Sequence, residues 1–163
     1  MAKKNKEISS SNLIKVKPIT EGQKSVFETW KQGKNQFLFG CAGTGKTFVS
    51  LYLAMQDVLD LKTKYDKVIL VRSLIPTREI GFLPGDEEDK AALYQVPYQN
   101  MVKFMFEQPN EQAFNMLYDR LKNQGSLYFL STSFLRGLTF DNSIIIVDEC
   151  QNLNFHELDT ITT

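Results

Sequence analysis

Gly40-Cys41-Ala42-Gly43-Thr44-Gly45-Lys46-Thr47 is the stretch that decides how this chain is read. It satisfies G-x-x-x-x-G-K-[ST] in full, and its setting agrees. Ahead of it, Gln36 to Phe39 (QFLF) is a short apolar run that reads as a buried strand. Behind it, Thr47 to Asp60 (TFVSLYLAMQDVLD) is apolar nearly all round, as a helix buried against a sheet must be. Glycines let backbone N–H groups turn inward around phosphates, where a side chain would block the approach. A helix opening near Gly45 aims its positive end at the same anion. Lys46 offers a mobile charge for the β- and γ-phosphates, and the Thr47 hydroxyl is placed to ligate Mg²⁺. All eight residues, Gly40 to Thr47, are thus expected phosphate binders, with Lys46 also catalytic and Thr47 also a metal ligand.

A second signal lies about a hundred residues on. Ile144-Ile145-Ile146-Val147-Asp148-Glu149 is an apolar strand that delivers two acids at its C-terminal end. Ligands of parallel sheets bind beyond the carboxyl ends of the strands, so the two signals suit one site. Asp148 is expected to hold Mg²⁺, and Glu149 to orient and deprotonate the attacking water. Two adjacent acids favour hydrolysis over transfer to a second substrate. Gln151 either touches the γ-phosphate or is a surface amide. Gln23 either reads the adenine edge by paired amide hydrogen bonds or closes a capping box with Thr20.

Working outward, the chain alternates strands and helices. Thr20 and Gln23 open a first helix carrying Val26, Phe27 and Trp30, and Gly33 ends it. Lys67 to Val71 (KVILV) is a strand. After the Pro- and Gly-containing loop Ser73 to Gly85, Asp86 caps a helix whose first-turn acids Glu87, Glu88 and Asp89 face its dipole. That helix runs to about Phe106, with Pro97 kinking or dividing it. Glu111 to Asn123 is a further helix, Leu127 to Leu130 and Ser143 to Val147 are strands, and Asn154 with Glu157 starts a last helix. Continuously apolar strands between helices imply an α/β fold: a mostly parallel sheet covered on both faces.

Composition narrows the classes. The 163 residues hold 19 Lys+Arg and 19 Asp+Glu, which excludes a polybasic protein bound through bulk charge. With 42% hydrophobic residues there is enough apolar surface for a core, yet no run reaches the roughly 18 residues of a membrane span. Two cysteines, Cys41 and Cys150, make no disulfide framework; they read as small packing residues in a cytoplasmic chain. Residues 1–18 carry five lysines against one glutamate and read as a basic, flexible tail ahead of one domain over 19–163. Thr63-Lys64-Tyr65-Asp66 matches a guanine-reading [NT]KxD pattern, but it precedes the second strand and reads as a coincidence. His156, the single histidine, reads as a surface residue, and one His with two separated Cys argues against zinc.

These residues resemble the PhoH-like ATPases, relatives of superfamily 1 helicases that bacteriophages also carry. The likeness runs from about Ile19 to Thr163. Its distinctive elements are Gly81-Phe82-Leu83-Pro84-Gly85-Asp86, Phe134-Leu135-Arg136-Gly137 and Val147-Asp148-Glu149-Cys150-Gln151-Asn152. The resemblance implies a P-loop fold binding ATP and Mg²⁺, activity on single-stranded RNA or DNA, and a ring-shaped homo-oligomer. It places Gln23 near adenine, Arg72 near the nucleic-acid path and Arg136 within reach of a neighbouring subunit's nucleotide. The family has further strands after the last helix, one of them inserted between the P-loop strand and the acidic strand. The chain is therefore expected to be a C-terminally truncated copy. The function expected is an ATP- and Mg²⁺-dependent nucleoside-triphosphatase. The alternatives are a truncated, non-catalytic nucleotide-binding or interaction module, and a small-molecule kinase.

Overall fold

The computed structural model describes residues 7–72, 87–132 and 139–162, with side chains described from Leu93 onward in the third helix. Its elements in chain order are α1 (Glu21–Lys31), α2 (Lys46–Leu59), β1 (Lys67–Arg72), α3 (Glu87–Met105), α4 (Glu111–Asn123), β2 (Leu127–Ser131), β3 (Ser143–Asp148) and α5 (Phe155–Thr162). The strands form one parallel sheet in the order β2-β1-β3. The α/β class read from the alternation holds.

β1 is the centre of the sheet. Val68, Ile69, Leu70 and Val71 are all buried, because a strand paired on both sides and covered on both faces has no residue left for solvent. Val68 and Leu70 point into the larger core with Leu51, Met55 and Leu59 of α2, Val102 and Met105 of α3 and Leu121 of α4. Ile69 and Val71 point the other way, toward Leu130, Ile145, Val147 and Ile161 of α5. The period of two along β1 thus divides a thick helical layer from a thin one. Burying each such aliphatic side chain contributes about 1.5–3 kcal/mol before entropy is counted. Among the described residues no helix is long and apolar enough to cross a membrane.

Local signals account for the helix ends. Thr20 Oγ1 accepts from the Gln23 N–H at 3.2 Å at the start of α1. Asn110 Oδ1 accepts from the Ala113 N–H at 2.8 Å at the start of α4. Asn154 and Glu157 form a reciprocal capping box at 2.9 and 3.0 Å at the start of α5. Trp30 Nε1 donates to Asp57 Oδ2 at 2.9 Å and fastens α1 to α2. Burial raises the Asp57 carboxyl above its ordinary range, and the bond from Trp30 opposes that rise. Pro97 lies inside α3, which runs as one helix rather than two.

Two expectations need correction. Gln36 to Phe39 is not a strand: it joins no ladder, and Phe37 and Phe39 are 77% and 88% exposed. Apolarity makes a strand only where an edge lies in reach, and this segment is instead tied to α1 through Gln36 Nε2, which donates to Val26 O and Thr29 Oγ1. Nor are residues 8–16 part of a flexible tail. Ile8 and Leu13 are buried, the Ile14 N–H donates to Met105 O at 2.8 Å, and the Val16 N–H donates to Tyr52 Oη at 3.1 Å. Apolar residues spaced between the lysines and serines dock this segment, and net charge alone concealed them. The expected Asp86 cap, the loop 73–85, the GFLPGD stretch and the segment with Arg136 lie outside the described residues.

Candidate functional site

The site is built where the start of α2 meets the end of β3. Gly45 caps α2 in the left-handed region at φ 81° and, being glycine, brings no side chain to the helix's first N–H groups. These backbone donors have no intrahelical partners, so an anion suits them. Gly43, at φ 77°, turns the loop just ahead, and a Cβ built there would meet nothing within 4 Å. Glycine is demanded at Gly43 by its backbone angle and not by protein crowding, and the space beside it is open. Residues 40–44 are exposed as a surface loop.

Lys46 folds back onto this loop. Its Nζ donates to Gly40 O at 2.9 Å and to Cys41 O at 2.8 Å. Thr44 Oγ1 donates to Cys41 O at 3.0 Å and tightens the same turn. The ammonium is therefore held at the mouth of the loop by two carbonyls that a phosphate oxygen could replace. Cys41 is exposed and Cys150 half-buried, so the packing role expected of Cys41 does not hold.

The two sequence signals meet directly. Thr47 Oγ1 donates to Asp148 Oδ1 at 3.0 Å, across 101 residues of chain. A hydroxyl and a carboxylate oxygen at that separation, beside an uncapped helix N-terminus, form the hard oxygen donor set that Mg²⁺ prefers. The donors present thus fit both halves of a magnesium–phosphate group.

Beyond Asp148 the backbone turns sharply. Glu149 sits in the left-handed region at φ 53°, uncommon for a residue with a side chain. This turn stops β3 and leaves the Glu149 side chain exposed, where Gln151 Nε2 donates to Glu149 Oε2. Gln151 is an exposed amide, as one of its two readings expected, and it is engaged with the Glu149 carboxylate. Gln23 also has its partners assigned. Its Oε1 accepts from the Ile19 N–H at 2.8 Å and its Nε2 donates to Thr44 O at 3.1 Å, so it braces the loop from the start of α1.

Sequence reasoning missed Tyr98. This α3 residue is 2% exposed and its Oη donates to Asp148 Oδ2 at 2.7 Å. Burial, then the bond and the charge of Asp148, hold its phenol in the neutral form far above the ordinary range. Arg72 shares this corner: it pairs in register with Asp148, its positive charge opposes the rise of the Tyr98 phenol, and its guanidinium lies 5.4 Å from the Tyr94 ring centre. A tyrosine on a helix, fifty residues from its partner, has no pattern that would single it out. His156 is exposed, as expected.

Comparison with known proteins agrees with this geometry. A family model described as PhoH-like protein matches residues 15–163. Protein PhoH2 of Bacillus subtilis (strain 168) is 32% identical over 127 residues, covering 77% of this chain and 28% of that protein. A PhoH-like protein of Synechocystis is 33% identical over 128 residues, covering 78% of this chain and 36% of its own length. Protein PhoH of Escherichia coli (strain K12) is 31% identical over 129 residues, covering 78% and 34%. The match thus spans about a third of the length of these relatives. With an uncapped glycine loop meeting an acidic strand end, on a parallel sheet and over nearly the whole chain, this protein belongs to the PhoH-like family.

Proposed function

We propose that the chain binds ATP with Mg²⁺ at residues 40–47 and 148–149 and hydrolyses it. The observation that carries this reading is the 3.0 Å contact of Thr47 with Asp148 at the mouth of the glycine loop. Thr47 and Asp148 would hold Mg²⁺, whose charge would offset that developing on the phosphate oxygens. Gly40, Cys41, Ala42, Gly43, Thr44 and Gly45 would present backbone N–H groups to the phosphates. Lys46 would exchange its two loop carbonyls for β- and γ-phosphate oxygens. Glu149 would accept a proton from the water that attacks the γ-phosphorus, with ADP leaving, while Gln151 steadies the Glu149 carboxylate.

The reading extends to single-stranded RNA or DNA as the polymer on which hydrolysis acts, with copies of the chain assembled in a ring in the cytoplasm. Family membership supports this part, together with Arg72 at the carboxyl end of the central strand. A module that holds nucleotide without turnover is the second reading. It is favoured by Gln36–Phe39, which precedes the glycine loop yet stands outside the sheet.

Phosphate release and fluorescent ATP-analogue binding, with and without single-stranded RNA or DNA, separate these readings. Lys46→Ala should abolish hydrolysis and weaken triphosphate binding more than ten-fold, whereas Glu149→Gln should keep binding and lower turnover by about 10²-fold or more. Hydrolysis that survives both changes refutes the assigned roles. Binding without any turnover in the unaltered chain establishes the second reading.

A further inference from the structure

Asp148 is gripped at both carboxylate oxygens. Thr47 takes Oδ1 from α2, and Tyr98 takes Oδ2 from α3 at 2.7 Å. The Arg72 guanidinium, from β1 and beside Asp148 in the sheet register, adds its positive charge to this corner. A chain of hydrogen bonds thus joins three elements, Tyr98 of α3 to Asp148 of β3 to Thr47 of α2. Tyr98 also has a packing role, since its ring lies 5.7 Å from that of Phe129 on β2. Packing alone does not require the hydroxyl, and Phe would fill the same space.

We propose that Tyr98 is a positioning residue for the Asp148 carboxylate, fixing its rotation so that Oδ1 faces the Thr47 hydroxyl and the metal position. The torsion that turns a carboxylate about its Cβ–Cγ bond is soft and nearly two-fold, so only its hydrogen bonds define its orientation. A hydroxyl-to-carboxylate bond is among the stronger ones, and the 2.7 Å between Tyr98 Oη and Asp148 Oδ2 is short enough for one. Partners of this kind, one shell out from a metal, commonly govern affinity by 10- to 100-fold. The inference rests on the reading of Thr47 and Asp148 as the metal-holding pair. It adds that α3, through Tyr98, sets how well that pair is presented.

The test uses the full chain, a fluorescent ATP analogue and a Mg²⁺ titration, with nucleotide binding in EDTA as the second readout. Tyr98→Phe should raise the Mg²⁺ concentration for half-maximal signal about ten-fold and leave binding in EDTA within about two-fold. Phe129→Leu loosens the same ring without removing the hydroxyl and should leave the Mg²⁺ midpoint unchanged. Equal shifts in both variants would assign the effect to packing and overturn the proposal. An unmoved midpoint in Tyr98→Phe, with a raised one in Asp148→Asn, overturns the role of Tyr98 alone. If Asp148→Asn also leaves the midpoint unmoved, the metal-site reading itself falls.

Discussion

Replacing Gln23 by alanine tests whether this side chain braces the glycine loop or reads a base. The change removes two hydrogen bonds, from the Ile19 N–H at 2.8 Å and to Thr44 O at 3.1 Å, and leaves the Thr20 cap on the Gln23 N–H in place. A hydrogen bond contributes about 0.5–1.5 kcal/mol net. Ile19 and Thr44 are exposed, so water takes over both orphaned groups and the lower end of that range applies to each. The expected cost is therefore about 1 kcal/mol, or a fall in Tm of about 3 °C for a domain of this size. The loop would lose its side-chain tether to α1, the Gln23–Thr44 bond, so affinity should fall for every triphosphate. Thermal unfolding followed by circular dichroism reads the first quantity; competition binding with ATP, GTP and inorganic triphosphate reads the second. A loss confined to adenine nucleotides, with Tm unchanged, would refute bracing and restore adenine recognition.

Two further outcomes follow from the fold. Phe39→Ser should change stability by no more than about 0.5 kcal/mol in chemical denaturation, because the ring is 88% exposed; a loss above about 2 kcal/mol would show it buried in a sheet. Bonds from Thr132 and from the Asn154 backbone hold the Glu157 carboxyl below its ordinary value of 4.5. A carboxyl lowered on folding contributes stability above its unfolded pKa and loses it as pH falls through the folded one. The Tm advantage of the unaltered chain over Glu157→Gln should therefore be full near neutrality and shrink as pH drops below 4.5. An advantage that grows with acid would reverse the assignment.

Much of this molecule was legible in the residues. α2, β1 and β3 were read within one or two positions of their observed ends, because full burial leaves continuous apolar runs and the motif at 40–47 marks where α2 must start. The meeting of Thr47 and Asp148 was legible as well, since parallel strands carry ligands at their carboxyl ends. Gln36–Phe39 was misread for the complementary reason: three consecutive apolar residues describe a strand's side chains but not whether a neighbouring backbone is there to pair. The docking of Ile8 and Leu13 was hidden under lysine-rich composition. Gln23 had two plausible tasks, adenine recognition or a capping box with Thr20; in the structure its backbone N–H meets Thr20 while its side chain turns to Ile19 and Thr44. Tyr98 could not be found at all, because its hydroxyl acquires its partner only after α3 is laid across the sheet.

The central place of β1 has a consequence for how the chain reaches this structure. Val68 finds Leu127 on one side and Ile144 on the other, partners about 60 and about 75 residues away along the chain. Neither pairing can form until a long loop has closed, so the sheet has no local nucleus and must assemble late. α1 and α2, joined early by Trp30 and Asp57, are the natural first platform. Until the later strands arrive, β1 waits with two open edges, and crowding at that stage invites pairing between molecules in place of pairing within one.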